Sequence, residues 1–137
     1  MRFENLHIWQ KGIDLVEDIY TITSNFPNSE LYTLTSQLRR SAISIPSNIA
    51  EGKGRGGIKE FVNFLHISLG SLYELKTQLF IAKRLTYINS KCYDDLESKI
   101  LELDKMINSL IRNRKINTKE LGIGVIFTPL HHYPYTP

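Results

Sequence analysis

The spacing of its apolar residues constrains this chain more than any other feature of its sequence. They recur at steps of three and four, the period of one face of an α-helix, in four successive segments. The predicted helices run over about residues 5–25, from Leu31 to the glycines at 52–57, over about residues 58–85, and from about residue 90 to 117. Since short connections make sequential neighbours antiparallel, the pattern predicts an all-α, up-down-up-down antiparallel four-helix bundle.

Two prolines modify this pattern. Pro27 disfavours helical conformation in Phe26, so the first helix ends there, and Asn28 or Ser29 can cap the next one. Pro46 lies inside the second segment, where it removes a backbone donor and clashes with the carbonyl four residues back, at a cost of about 3 kcal/mol. Because the apolar period continues in phase beyond it, we expect one helix kinked at Pro46 rather than two helices.

The third segment carries two apolar stripes. The first consists of Phe61, Leu65, Leu72, Leu75 and Leu79, and the second of Ile58, Val62, Leu69, Tyr73 and Phe80. A helix on the surface of a monomer needs only one apolar stripe. Two stripes therefore predict burial on two sides, once in the bundle core and once against another surface, such as a second subunit.

Length and composition indicate one globular domain. The chain has 137 residues, of which 42% are hydrophobic and 23% charged, enough to bury one core but not two. The predicted bundle domain spans residues 1–116, and residues 117–137, with three prolines, are predicted to form a flexible tail. No stretch reaches eighteen uncharged apolar residues, so we expect no membrane span. The lone Cys92 cannot form a disulfide within the chain, which favours a reducing compartment, so we expect a cytoplasmic location.

The formal net charge of +3 is modest, but its placement is uneven. Between residues 37 and 59 there is one acid, Glu51, and there are five bases, which are Arg39, Arg40, Lys53, Arg55 and Lys59. Several bases on one surface bind phosphates together through counterion release, so these five are predicted to form a patch that contacts RNA or DNA backbone. The alternative is a solvated face that makes weak surface ion pairs. The sequence leaves the two evenly balanced.

The sequence contains no catalytic or cofactor motif in the context that the motif requires. Residues 52–57 match the dinucleotide pattern G-x-G-x-x-G, but that motif needs a preceding strand, and here a helix precedes it, so a flexible inter-helix loop is the better interpretation. His7 and His66 are isolated, and no Glu-x-x-His pair of a di-iron bundle occurs. Cys92, near a helix start, has either a lowered pKa or, by default, a structural role. We therefore expect no enzymatic activity, cofactor or metal.

Several motifs together resemble a known family. The stretch QLRRSAISIPSNIAEGKGR at residues 37–55 is accompanied by Phe3-x-x-Leu6-x-x-Trp9-x-Lys11, by Phe26-Pro27-x-x-Glu30, and by Phe61 with the run Leu69-Gly70-Ser71-x-x-Glu74. In these motifs the chain resembles the 23S rRNA intervening-sequence protein family over residues 3 to about 115. One departure is Gly12, where the family favours alanine, at a cost of up to about 1 kcal/mol of helix propensity.

The resemblance implies a cytoplasmic bundle that assembles into a ring-like homo-oligomer, a homopentamer, without established enzymatic activity. A distantly similar bundle is the accessory protein of diversity-generating retroelements, a basic pentamer that binds nucleic acid and a reverse transcriptase. The leading hypothesis is thus a non-catalytic oligomer that binds nucleic acid through the five bases. The alternative is a protein-interaction scaffold, or an accessory subunit of a nucleic-acid enzyme such as a reverse transcriptase.

Overall fold

The computed structural model describes residues 2–120, with side chains through Arg114. Its four α-helices are α1 (His7–Thr23), α2 (Leu34–Gly54), α3 (Ile58–Arg84) and α4 (Ser90–Glu120). Single turns of 3-10 helix, Phe3–Asn5 and Asn28–Glu30, precede α1 and α2. No strand occurs in this part of the chain, so the all-α fold and the four predicted helices are confirmed. Within the same residues, no helix is long and apolar enough to cross a membrane.

One hydrophobic core holds the four helices together. α2 packs against α1 and α3, and α4 packs against α3 and α1. The fully buried side chains of this core come from all four helices, and the largest are Ile19, Leu38, Ile45, Ile49, Leu65, Leu72, Leu75, Leu79, Leu103 and Ile107. Burying a residue of this size stabilises the fold by about 1.5–3 kcal/mol, so this core is the main source of stability.

Polar contacts between helices show which segments lie side by side. The end of α1 meets the first half of α2, where Arg39 Nε donates a hydrogen bond of 2.9 Å to Thr23 Oγ1. The first half of α1 also faces α4, where Lys11 Nζ lies 2.9 Å from Glu102 Oε1. This ion pair is half exposed, so it orients the helices more than it stabilises them.

The beginning of α2 differs from the sequence prediction. The chain makes a 3-10 turn over residues 28–30, and α2 starts only at Leu34. The prediction that Asn28 or Ser29 caps this helix is therefore wrong. The Glu30 carboxylate does that work, because it accepts a hydrogen bond of 3.4 Å from the backbone N–H of Leu34 and another of 2.7 Å from the Tyr87 hydroxyl.

Pro46 lies within a single α-helix, since α2 is continuous from Leu34 to Gly54. Gly12 of α1 packs directly on this proline, and a Cβ atom added to Gly12 would lie 3.3 Å from Pro46 Cβ. The glycine therefore makes room for the proline ring between two closely packed helices. That space offsets the helix propensity that Gly12 loses relative to alanine.

The glycine-rich stretch is partly helical, which corrects its interpretation as a flexible loop. α2 extends to Gly54, and Gly52 is buried. A Cβ atom at Gly52 would lie 2.5 Å from Phe64 Cβ, closer than packed carbon atoms can approach. Gly52 is thus a packing residue, and the connection proper begins at Arg55, with Gly56 in the left-handed region at a φ of 85°.

The two stripes of α3 have different environments. All five residues of the first stripe are buried in the core. In the second stripe Val62 and Leu69 are buried, whereas Tyr73 and Phe80 remain 47% and 44% exposed. Burial of this stripe against another subunit stays a prediction.

α4 continues to Glu120, so the first residues of the segment predicted as a flexible tail, 117–120, are helical. The rest of that segment, 121–137, lies outside the described residues.

Candidate nucleic-acid interface

An open groove runs along the first half of α2. We call it the aromatic groove, and its volume is about 650 Å³. The lining residues come from the end of α1, the segment before α2, and α2 itself, and they are Tyr20, Leu31, Tyr32, Thr35, Ser36, Arg39, Arg40, Ile43 and Ser44. None of these nine is acidic, and two are arginines. The groove therefore combines positive charge with aromatic and apolar surface.

Contacts with α1 hold Arg39 in place. Its guanidinium carbon lies 4.5 Å from the centroid of the Tyr20 ring, within cation-π distance. Its Nε donates the hydrogen bond to Thr23 Oγ1, which leaves the two terminal nitrogens outside that bond. Those nitrogens carry the geometry that binds a phosphate in a bidentate manner. Arg40, the next residue, is exposed and also lines the groove.

The aromatic ring of Tyr32 is the most exposed large side chain of the groove. Its exposed fraction is 89%, while Tyr20, Leu31 and Ile43 are about half as exposed. Tyr32 precedes α2 by two residues and contributes nothing to the buried core. Such a ring is free to stack on a planar partner.

Thr35 lies at the floor of the groove. It is 98% buried, and its Oγ1 is itself buried and makes no hydrogen bond to any described residue. A buried hydroxyl without a partner costs about 1–3 kcal/mol. Because the atom is covered, this cost belongs to the packing beneath the groove and not to its surface.

A second group of cations lies at the far end of α2, and we call it the end cluster. Lys53 Nζ and Arg114 Cζ lie 5.6 and 5.7 Å from the centroid of the Phe61 ring. These three residues, with Gly56, Gly57 and Ile58, line a cavity of about 80 Å³ at the start of α3. Because the first N–H groups of a helix have no partner within the helix, positive potential from α3 adds to that of the two side chains.

The other predicted bases lie beside this cluster. Arg55 Cζ is 5.2 Å from the Phe64 centroid, and its Nη2 lies 3.0 Å from Glu51 Oε1 in an exposed ion pair. Lys59, on the first turn of α3, is exposed. The pair with Glu51 reduces the local charge, as the alternative of a solvated surface supposed, but an exposed pair of this kind is weak.

The structure thus divides the five predicted residues between two places. Arg39 and Arg40 line the aromatic groove, and Lys53, Arg55 and Lys59 belong to the region of the end cluster. Arg40 and Lys53 are thirteen residues apart on α2, which at 1.5 Å per residue is a separation of about 20 Å. That exceeds the Debye length of about 8 Å at physiological salt, so the two groups act as separate contacts.

Three residues of these sites escaped the sequence analysis. Tyr20 belongs to an apolar stripe of α1 and so reads as a core residue, yet it is 42% exposed. Tyr32 carries no local signal. Arg114 lies more than fifty residues from Lys53 in sequence, and only the packing of α4 on α3 brings them to the same ring.

The structure also bears on the pKa of the Cys92 thiol. The interpretation that its position lowers the pKa is wrong, because burial, followed by the charge of Asp95, raises the pKa of this thiol. Its backbone N–H is capped by Asn89 Oδ1 at 2.8 Å. No group of three or more metal-ligating side chains occurs among the residues with described positions.

Fold and surface together define a small helical-bundle protein with a basic, aromatic groove. The chain matches the model of the 23S rRNA-intervening sequence protein family over residues 4–109, and it belongs to that family. It is also similar to a crystal structure of a protein of unknown function from the S23 ribosomal protein family of Bacteroides thetaiotaomicron. The TM-score is 0.68 at 25% sequence identity, over 76% of this chain and 97% of that one. A comparison with curated proteins finds no match.

Proposed function

We propose that this protein is a non-catalytic, oligomeric four-helix bundle that binds the backbone of RNA or DNA. The observation that carries the proposal is the aromatic groove, where Arg39 and Arg40 lie beside two exposed tyrosines with no carboxylate among the lining residues. Arginine binds phosphate through charge-assisted hydrogen bonds, and tyrosine rings support bound nucleotides. Binding of this kind tolerates many sequences.

The end cluster supplies a second contact to the same nucleic acid. Its separation from the groove, about 20 Å along α2, corresponds to about six nucleotides at 3.4 Å of axial rise each. Lys53, Arg55 and Lys59 each release counterions on contact with phosphate. A strand that reaches both places therefore gains affinity from two weak sites joined by a rigid helix.

Assembly is part of the proposal. The contacts of Thr23 with Arg39 and of Lys11 with Glu102 support the up-down-up-down antiparallel arrangement. We propose in addition a kink of α2 at Pro46, because this proline lies inside the helix and proline is a usual cause of helix kinks. The partly exposed second stripe of α3, at Tyr73 and Phe80, supports burial against another copy. We propose a cytoplasmic, ring-shaped homo-oligomer, a homopentamer, which multiplies each weak contact. Light scattering tests it, since a monomer would contradict it.

Matched arginine variants test the binding. Arg39→Ala and Arg40→Ala are compared with Arg84→Ala, because Arg84 also covers an exposed ring, at 5.8 Å from the Phe80 centroid, but lies outside the groove. We expect the two groove variants to bind a structured RNA at least fivefold more weakly at low salt, and Arg84→Ala to bind like the wild type. No binding by the wild type, or equal binding by all variants, would exclude the proposal.

A second candidate function is that of a protein-interaction scaffold or of an accessory subunit of a nucleic-acid enzyme such as a reverse transcriptase. The observation that favours it is the apolar surface at the end of α3, where Phe80, Ile81 and Leu85, the residue that follows the helix, are all more than 40% exposed. Exposed apolar residues grouped on one element mark interaction sites. This function requires a protein partner that co-purifies with the chain after nuclease treatment.

A further inference from the structure

We infer that the aromatic groove takes an unpaired nucleotide, with its base stacked on Tyr32 and its phosphate at Arg39 and Arg40, so that the ligand is single-stranded nucleic acid rather than a duplex. This inference rests on the proposed function and names its substrate class. Backbone binding needs cations alone. The groove contains more than cations, and its other features decide between the two forms of nucleic acid.

The first such feature is the ring of Tyr32. At 89% exposure it is covered by almost nothing in the chain, whereas one face of Tyr20 is occupied by the Arg39 guanidinium. Stacking on an aromatic side chain is available only to a base that has left its neighbours, as in single strands and loops. In a duplex both faces of each base are already stacked.

The second feature is the apolar surface beside the arginines. Leu31 and Ile43 line the groove and are 44% and 41% exposed. A phosphate backbone gains nothing from covering them, but the face and edge of a base do, because apolar area is removed from water. The groove volume of about 650 Å³ is large enough for such a planar group.

Positive charge completes the set. The residues that line the groove include no carboxylate, and Arg39 packs on the Tyr20 ring. The positive charge of the groove is therefore complementary to the negative charge of a phosphate. Tyr32 and Arg39 lie seven residues apart in sequence, on either side of the first turns of α2. A base and an adjacent phosphate of one strand therefore have partners on the same side of one helix end.

The experiment measures fluorescence anisotropy with three labelled probes of equal length: a single-stranded RNA, the same strand annealed to its complement, and an abasic strand that has only the backbone. Each is titrated with the full chain and with Tyr32→Ala, Tyr32→Phe and Leu101→Ala. Leu101 is the control, because it is an exposed apolar residue of α4 that lies outside the groove and outside the second stripe of α3. Circular dichroism and light scattering accompany every variant.

We expect the single strand to bind about tenfold more tightly than the duplex or the abasic strand, in line with the contribution of one stacked base. Tyr32→Ala should lose that advantage, and Tyr32→Phe and Leu101→Ala should keep it. Equal binding of all probes by the wild type, or a loss in Tyr32→Phe as large as in Tyr32→Ala, would overturn the inference. So would a change of oligomeric state in Tyr32→Ala, which would identify a second copy as the occupant.

These outcomes separate the inference from the function on which it rests. If all three probes bind equally and Arg39→Ala still weakens them, backbone binding stands and the unpaired nucleotide falls. If no probe binds at low salt, both fall together.

Discussion

Because Gly52 has no side chain, α2 and α3 approach each other closely at the end of the bundle. Phe64 occupies the space that a methyl group would need, with its Cβ only 2.5 Å from the position of an added Cβ atom. Both atoms belong to or adjoin helix backbone, so neither moves without moving a helix. Residue identity here is decided by the neighbouring helix and not by local propensity.

Gly52→Ala is therefore expected to destabilise the protein, by about 1–3 kcal/mol as for other overpacked cores. Gly54→Ala is the matched control, because Gly54 is the last residue of α2 and an added Cβ atom there meets nothing within 4 Å. It should be neutral or slightly stabilising through helix propensity. Chemical denaturation of both variants measures the difference, and equal free energies of unfolding would show that α3 yields at Phe64.

A second residue-scale expectation concerns Tyr93, which is buried in the core against α3. Burial, and next a hydrogen bond to Glu97, raises the pKa of Tyr93 to about 12. The folded chain thus holds this proton where the unfolded chain, with a pKa near 10, has lost it. The raised pKa of Tyr93 therefore contributes to the free energy of unfolding in full below pH 10, and this contribution is lost as the pH rises toward about 12.

Tyr93→Phe removes that titration, so the free energy of unfolding should fall less steeply with pH between 10 and 11.5 than in the wild type. The measurement is urea denaturation at several alkaline pH values. Parallel slopes for wild type and Tyr93→Phe would mean that the buried phenol titrates alike in both states.

At the scale of elements, the contact between α2 and α3 is a seam of small polar side chains. Ser41, Ser68 and Ser71 are fully or almost fully buried. Ser68 Oγ donates to the Ile45 carbonyl at 3.0 Å, and the hydroxyls of Ser44 and Ser71 lie 2.8 Å apart. Because serine is small and each hydroxyl has a partner, the two helices pack closely without unsatisfied groups in this seam.

Enlarging one of these serines should force the helices apart. Ser68→Leu is expected to cost about 1–3 kcal/mol through overpacking, and Ser68→Ala about 1 kcal/mol through the lost hydrogen bond. Ser98→Ala on the exposed side of α4 should stay within about 0.5 kcal/mol of the wild type. Thermal unfolding ranks the three, and a Ser68→Leu variant as stable as Ser98→Ala would mean that the seam has spare room.

Periodicity alone predicted most of the element structure, because the apolar stripes of all four helices face one core. It failed where another part of the chain decides the outcome. The Glu30 carboxylate, bound to Tyr87 from the connection after α3, moves the start of α2 to Leu34. Packing against Phe64 extends α2 through Gly52, although glycines normally indicate a helix end.

On the scale of the whole molecule, the candidate nucleic-acid interface was only partly predictable from the sequence. The density of basic residues along the chain predicted Arg39 and Arg40, since a charged side chain is identified by its residue type alone. It did not find Tyr32 or the position of Tyr20 beneath Arg39, because these depend on how α1 meets α2. It also assigned Lys53 and Arg40 to one patch, although helix geometry separates them by about 20 Å.

The most direct test of nucleic-acid binding is the salt dependence of affinity for a single-stranded RNA, measured for the wild type, Arg39→Ala/Arg40→Ala and Arg84→Ala. The plot of log affinity against log salt concentration should be linear, and its slope should fall in magnitude by about 0.7 for each phosphate contact removed. We expect the double variant to have the shallower slope and Arg84→Ala to keep that of the wild type. A double variant with an unchanged slope would contradict the assignment of these arginines to phosphate.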